Sequence, residues 1–153
     1  MDTAFLKDIF LIIVVGAGGI FALYQFSKQQ KFKRLQNLSS LWKTFLTDAE
    51  IMELFTFLNA TEEGESEKIS QIASFEPKVK LKYLALIEEV SLYIDAFEID
   101  KGYAKYLFQW HFFFVYESKT TSSAFWENIG GKEEMNASYW SKSRLLAQKF
   151  IPE

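Results

Sequence analysis

The 153-residue chain has no cysteine, one histidine, two prolines and seven glycines. Without cysteine it has no disulfide framework, no thiolate zinc site and no cysteine nucleophile. A single histidine, His111, excludes a paired-histidine metal box, and no glycine-rich phosphate loop or nucleophile elbow occurs. No metal and no cofactor is expected, and nothing in the sequence points to an enzyme. Strand-like alternation of useful length is missing, as is any internal repeat. What the chain has in quantity is apolar surface: 49% of residues are hydrophobic, with 16 Phe, 7 Tyr and 4 Trp. That content argues against disorder, and the length suits one compact domain rather than a multidomain enzyme.

Charge is absent where it matters most. Residues 9–27 are 19 consecutive uncharged positions between Asp8 and Lys28. As a helix they reach roughly 28 Å, near the hydrocarbon thickness of a bilayer. The tail before them carries Asp2, Lys7 and Asp8, which is not a cationic signal-peptide start, and no small-residue cleavage site follows. A retained transmembrane helix is expected. Lys28, Lys31, Lys33 and Arg34 follow it directly, and no acid appears before Asp48. The positive-inside rule then puts the N-terminus outside and the C-terminal domain in the cytoplasm, with those four cations against anionic lipid headgroups. Within the span, Gly16, Gly18, Gly19 and Ala22 form a small-residue patch suited to close helix contact.

The expected organisation is a short extracytoplasmic tail (1–8), the span (9–27), a basic juxtamembrane stalk helix (28–46) and a helical domain (47–153). No Gly or Pro occurs from Ile20 to Asn59, so one helix is expected to run from span into stalk. Phe32, Leu35, Leu38, Trp42 and Phe45 recur on one face of it, for packing into the core or against another subunit. A capping box at Thr47-Asp48-Ala49-Glu50 separates the next helix, which buries Ile51, Leu54, Phe55 and Leu58. Residues 59–67 read as an acidic loop, and 68–74 as a short helix. Pro77 opens a long helix whose core face is Val79, Tyr83, Leu84, Ile87, Val90, Ile94 and Phe97, with Lys78, Lys80 and Lys82 as a solvated basic patch. Asp100 caps a helix over 101–117, apolar on nearly every side and so expected at the bundle centre. Residues 119–123 read as a loop, a short helical piece begins at Phe125-Trp126, Gly130-Gly131 breaks it, and the last helix covers 139–150. The fold class is all-α.

The ionisable candidates are few. Glu88 and Glu89 sit mid-helix, with Lys82 or Lys105 as possible partners for a buried one. From Asp48 onward there are 11 basic and 18 acidic residues, a net of −7, so strong nucleic-acid binding is not expected. His111 lies among aromatics, six residues after Lys105. That spacing resembles the Arg-x(4–6)-His motif of the higher eukaryotes and prokaryotes nucleotide-binding (HEPN) ribonucleases, with Lys in place of Arg. The resemblance implies a membrane-tethered ribonuclease with Lys105 and His111 at its site, one of three functional alternatives.

The run Tyr83–Asp100 has a Glu-Glu pair, a Glu-Ile-Asp turn and then an aromatic helix with Phe125-Trp126 downstream. In this layout the chain resembles small bacterial inner-membrane proteins with one N-terminal span and a helical domain. Among these are the accessory proteins of RNA-targeting CRISPR nucleases. The resemblance implies a divergent HEPN-like domain and a homo-oligomeric pore that depolarises the membrane in antiviral defence, with a protein partner from the defence system. The remaining alternative is a non-enzymatic anchor or scaffold for a cytosolic protein.

Overall fold

The computed structural model describes residues 3–62, 68–96, 98–131 and 140–150, with side chains from Val14 onward and, before the first gap, as far as Ala60. It is all-α, and no strand occurs among the described residues. Among the described residues seven α-helices follow in order: α1 (Thr3–Thr47), α2 (Ala49–Glu62), α3 (Ile69–Ser74), α4 (Pro77–Asp95), α5 (Lys101–Phe112), α6 (Thr121–Trp126) and α7 (Ser141–Phe150). A π-helical turn, Phe113–Glu117, continues α5.

Local signals in the sequence account for most helix ends. Asp48 lies between α1 and α2, and its Oδ1 accepts the Ile51 amide at 3.2 Å. The cap of α2 is therefore Asp48, whereas the Thr47 hydroxyl turns back to the Lys43 carbonyl. Helix α2 runs on through Asn59 to Glu62, past the expected loop start; residues 63–67 lie outside the described set. Pro77 occupies the first turn of α4, where its missing N–H costs nothing. Asp100 Oδ1 accepts the amides of Gly102 and Tyr103 and caps α5.

One apolar core joins these helices. Leu38, Leu41 and Phe45 of α1, Ile51, Leu54 and Leu58 of α2, and the α4 stripe Val79, Tyr83, Leu84, Ile87 and Val90 pack with Phe108 and Phe112 of α5. Phe97 lies outside the described residues. Helix α7 covers α4 and α5, bonded through Tyr116 Oη to Ser143 Oγ at 2.7 Å and through the Ser143 amide to Glu88 at 2.9 Å. Glu88 thus holds the first turn of the last helix rather than pairing with Lys82 or Lys105, and Glu89 is exposed.

Three expectations are corrected by this packing. The helix over 101–117 is not uniformly buried, because α5 turns Ala104, Phe108, His111 and Phe112 inward and leaves Tyr103, Tyr106 and Trp110 exposed. Its tyrosines and tryptophan have polar tips that tolerate water. Residues 121–123 are not loop but the first turn of α6, which ends at Trp126. Thr121 and Ser122 are buried and donate to the carbonyls of Phe114 and Val115, while Trp126 Nε1 also donates to Val115. These bonds collect the carbonyls that the π-turn leaves open. Finally, Lys80 does not belong to a solvated patch. It is fully buried, and its Nζ donates to the carbonyls of Ala73, Ala124 and Glu127 at 3.1, 3.2 and 2.9 Å.

Among the described residues no helix is long and apolar enough to cross a membrane. The stretch expected to do so, 9–27, begins at residues 9–13, whose side chains lie outside the described set.

Candidate functional site

Helix α1 divides into two unlike halves. From Leu38 onward it enters the core, with Leu38 and Phe45 buried and Trp42 half-buried, so this part of the expected stripe packs within the chain. Phe32 and Leu35, on the same stripe, remain exposed at 62% and 49%. Before them, Val14, Val15, Ile20, Phe21, Leu23, Tyr24 and Phe26 are all between 52% and 72% exposed. A Cβ added at Gly16, Gly18 or Gly19 would meet nothing within 4 Å, and Ala22 is exposed too. No contact among the described residues therefore explains the small residues there.

The boundary between the halves is tied down. Asn37 Nδ2 donates to the backbone and side chain of Glu98 at 3.3 and 3.2 Å, and Lys33 Nζ lies 3.5 Å from the same carboxylate. Lys33 is thus engaged by the turn between α4 and α5. Lys28 and Lys31 are exposed, and Arg34 is half-buried. Further along, Trp42 and Phe45 meet Phe108 and His111. Helix α5 consequently runs beside α1 in the same direction, starting next to the basic collar.

Two surfaces follow from that parallel docking. A cleft of about 330 Å³ opens between the collar and the start of α5, lined by Lys31, Arg34, Leu35, Asp100 and Tyr103. On the outward side of α5, Tyr103, Tyr106 and Trp110 form a stripe exposed at 60%, 77% and 45%. The spacing i, i+3, i+7 puts them on one face. Sequence reasoning assigned these aromatics to the core; the available signal was that the tyrosines and tryptophan fall on this face while Phe108 and Phe112 fall on the other.

His111 is 2% exposed and sits in an aromatic cage. Its ring stacks on Phe55 at 4.2 Å and lies 4.6 Å from Phe45. Its Nδ1 and the Tyr83 hydroxyl share a hydrogen bond of 2.6 Å. Nε2 is buried without a hydrogen-bond partner among the described residues. Burial lowers the imidazole pKa from 6.5 to about 3 and raises the Tyr83 phenol well above its ordinary value. Both are neutral at physiological pH, which suits a core pair rather than an acid–base site. On helix geometry Lys105 lies about 120° around α5 from His111, and it is half-buried. Among the described residues no group of three or more His, Asp or Glu could hold a metal ion.

No protein-family model, curated protein or solved structure matches the chain. Its function has to be read from its own geometry. Among the described residues, two features that internal packing leaves unexplained are the bare half of α1 and the aromatic stripe of α5.

Proposed function

We propose that the chain is a membrane-anchored protein whose single span is the N-terminal half of α1, and whose copies associate side by side through α1 and the α5 stripe. The observation that carries this reading is the bare apolar half of α1. Large apolar side chains each gain about 1.5–3 kcal/mol on leaving water, so those from Val14 to Phe26 together favour a non-aqueous setting by on the order of 10 kcal/mol. In water this half of the helix would also lack support, since unpacked helices are marginal and each interior glycine costs about 1 kcal/mol. A bilayer removes both costs, because lipid offers no competing hydrogen bonds to the backbone. The basic collar then lies at the cytoplasmic headgroups.

Self-association has its own support. Tyr, Trp and Phe are the residues enriched in buried interface cores, and Tyr103, Tyr106 and Trp110 stand exposed on a helix parallel to α1. One span encloses no aqueous path, so the pore in antiviral defence implied by the CRISPR accessory proteins requires such an assembly around an axis. It is the narrower form of this proposal.

The test is mass measurement of the full chain in mild detergent, beside membrane fractionation. The protein should resist alkaline extraction and run as an oligomer, and Tyr106→Asp with Trp110→Glu should reduce it to a monomer that is still membrane-bound. A full-length product that is soluble without detergent overturns the anchor; a wild-type monomer at every concentration overturns the assembly. Conductance in liposomes that is lost in the same double variant is the expected result for the pore.

A further inference from the structure

The cleft between α1 and the start of α5 brings charged and apolar side chains of two helices together. Its wall carries two cations, Lys31 and Arg34, against one carboxylate, Asp100, whose Oδ1 is already held by the amides of Gly102 and Tyr103. Arg34 Nε is buried and has no hydrogen-bond partner among the described residues. That atom is closed off from the cleft, but Arg34 lines it, and a guanidinium matches a phosphate oxygen through its terminal N–H groups. Beside these cations the wall turns apolar, at Leu35 on α1 and Tyr103 on α5. A free anion has no use for such a wall.

Depth along α1 decides the source of the phosphate. If the span ends at Ser27, Lys31 lies about 6 Å and Arg34 about 10 Å further along the axis. The headgroup layer on each side is roughly 6 Å deep, and both side chains are long enough to reach back into it. Tyr103, beside them, falls at the level where membrane proteins carry aromatic belts. We infer that this cleft is a binding site for one phospholipid, its phosphate held by Arg34 and Lys31 and its glycerol region laid against Leu35 and Tyr103. The inference rests on the reading of α1 as a span. It goes further than a diffuse basic collar, because it selects Arg34 over its neighbours and recruits a residue from α5.

The full chain, purified in mild detergent with added phosphatidylglycerol, is examined by native mass spectrometry. Wild type should keep one lipid through delipidation. Arg34→Gln and Tyr103→Ala should each weaken retention roughly tenfold, whereas Lys43→Gln, on the exposed part of α1 beyond the cleft, should match wild type. Unchanged helix content and thermal midpoint identify a local effect. Equal retention by Arg34→Gln and wild type overturns the cleft while leaving a membrane-bound protein. Displacement of the lipid by millimolar inorganic phosphate overturns the lipid as occupant. Loss of the wild-type chain from the membrane fraction overturns the cleft and the anchor together.

Discussion

The protein should lose stability as the pH falls from 7 to 5, and the loss should come from one residue. The unfolded chain takes up a proton on His111 near pH 6.5, whereas the folded chain holds the ring neutral until about pH 3. Between these values the unfolded state binds more protons, so stability rises with pH and falls on acidification. With those two values the linkage relation gives a loss of about 2 kcal/mol between pH 7 and 5. The window is set by His111 because it is the only histidine in the chain. Denaturant melts of the detergent-solubilised chain, followed by Trp fluorescence, give the slope. His111→Gln keeps a polar partner for the Tyr83 hydroxyl without a titrating ring, so its stability should be nearly flat across the same window. Equal slopes for wild type and variant would falsify the burial of a neutral His111. It would also reopen the question of an accessible imidazole, on which the RNA-cleavage alternative depends.

Lys80→Met should destabilise the fold by about 3 kcal/mol in the same melts. It deprives the Ala124 and Glu127 carbonyls of their ammonium donor, while the Ala73 carbonyl keeps Asn128 Nδ2. Asp48→Ala removes the α2 cap and should cost about 1 kcal/mol by thermal denaturation, little of it from the exposed partner Lys82. Gly18→Leu should leave the melting of the helical bundle unchanged, since nothing among the described residues lies near that position, but should alter the oligomer mass in detergent.

The sequence carried the local parts of the fold well. Pro77 and Asp100 mark helix starts because their effects act within one turn, and the α4 stripe reads directly as a 3.6-residue period. What escaped were the cases where a distant element decided a residue's fate. Lys80 sits between Val79 and Tyr83, within the buried stripe, yet only the meeting of α3 and α6 supplies the three carbonyls that let an ammonium stay there. Thr121 and Ser122 looked like loop until the π-turn presented carbonyls to their hydroxyls. The α5 aromatics were misassigned because hydrophobicity alone does not distinguish a helix at the bundle centre from one at its side. The site was legible in part: the collar and the small-residue patch follow from charge and spacing, while the cleft needed α5 docked alongside α1.

That docking also constrains how copies would meet. No glycine or proline interrupts α1 between Ile20 and Thr47, so the bare segment from Ile20 onward and the docked half form one stiff rod. Asn37 and Lys33 fasten the rod to Glu98, which fixes its rotation relative to α5. Because α5 runs parallel to α1, its exposed stripe looks sideways, perpendicular to the axis of α1. If α1 is anchored as proposed, a neighbour in the same bilayer approaches from that direction. On that reading contacts at Tyr106 and Trp110 beyond the headgroups and contacts along the span would form together at successive depths. Within the membrane plane the encounter is already restricted in height and tilt, so less orientational freedom is lost than in solution, and even a stripe of this modest size can hold an assembly. If that coupling operates, the Tyr106→Asp and Trp110→Glu substitutions should weaken association far more for the anchored chain than any single span substitution does. Equal effects of the two classes would mean that the cytosolic faces and the spans associate independently.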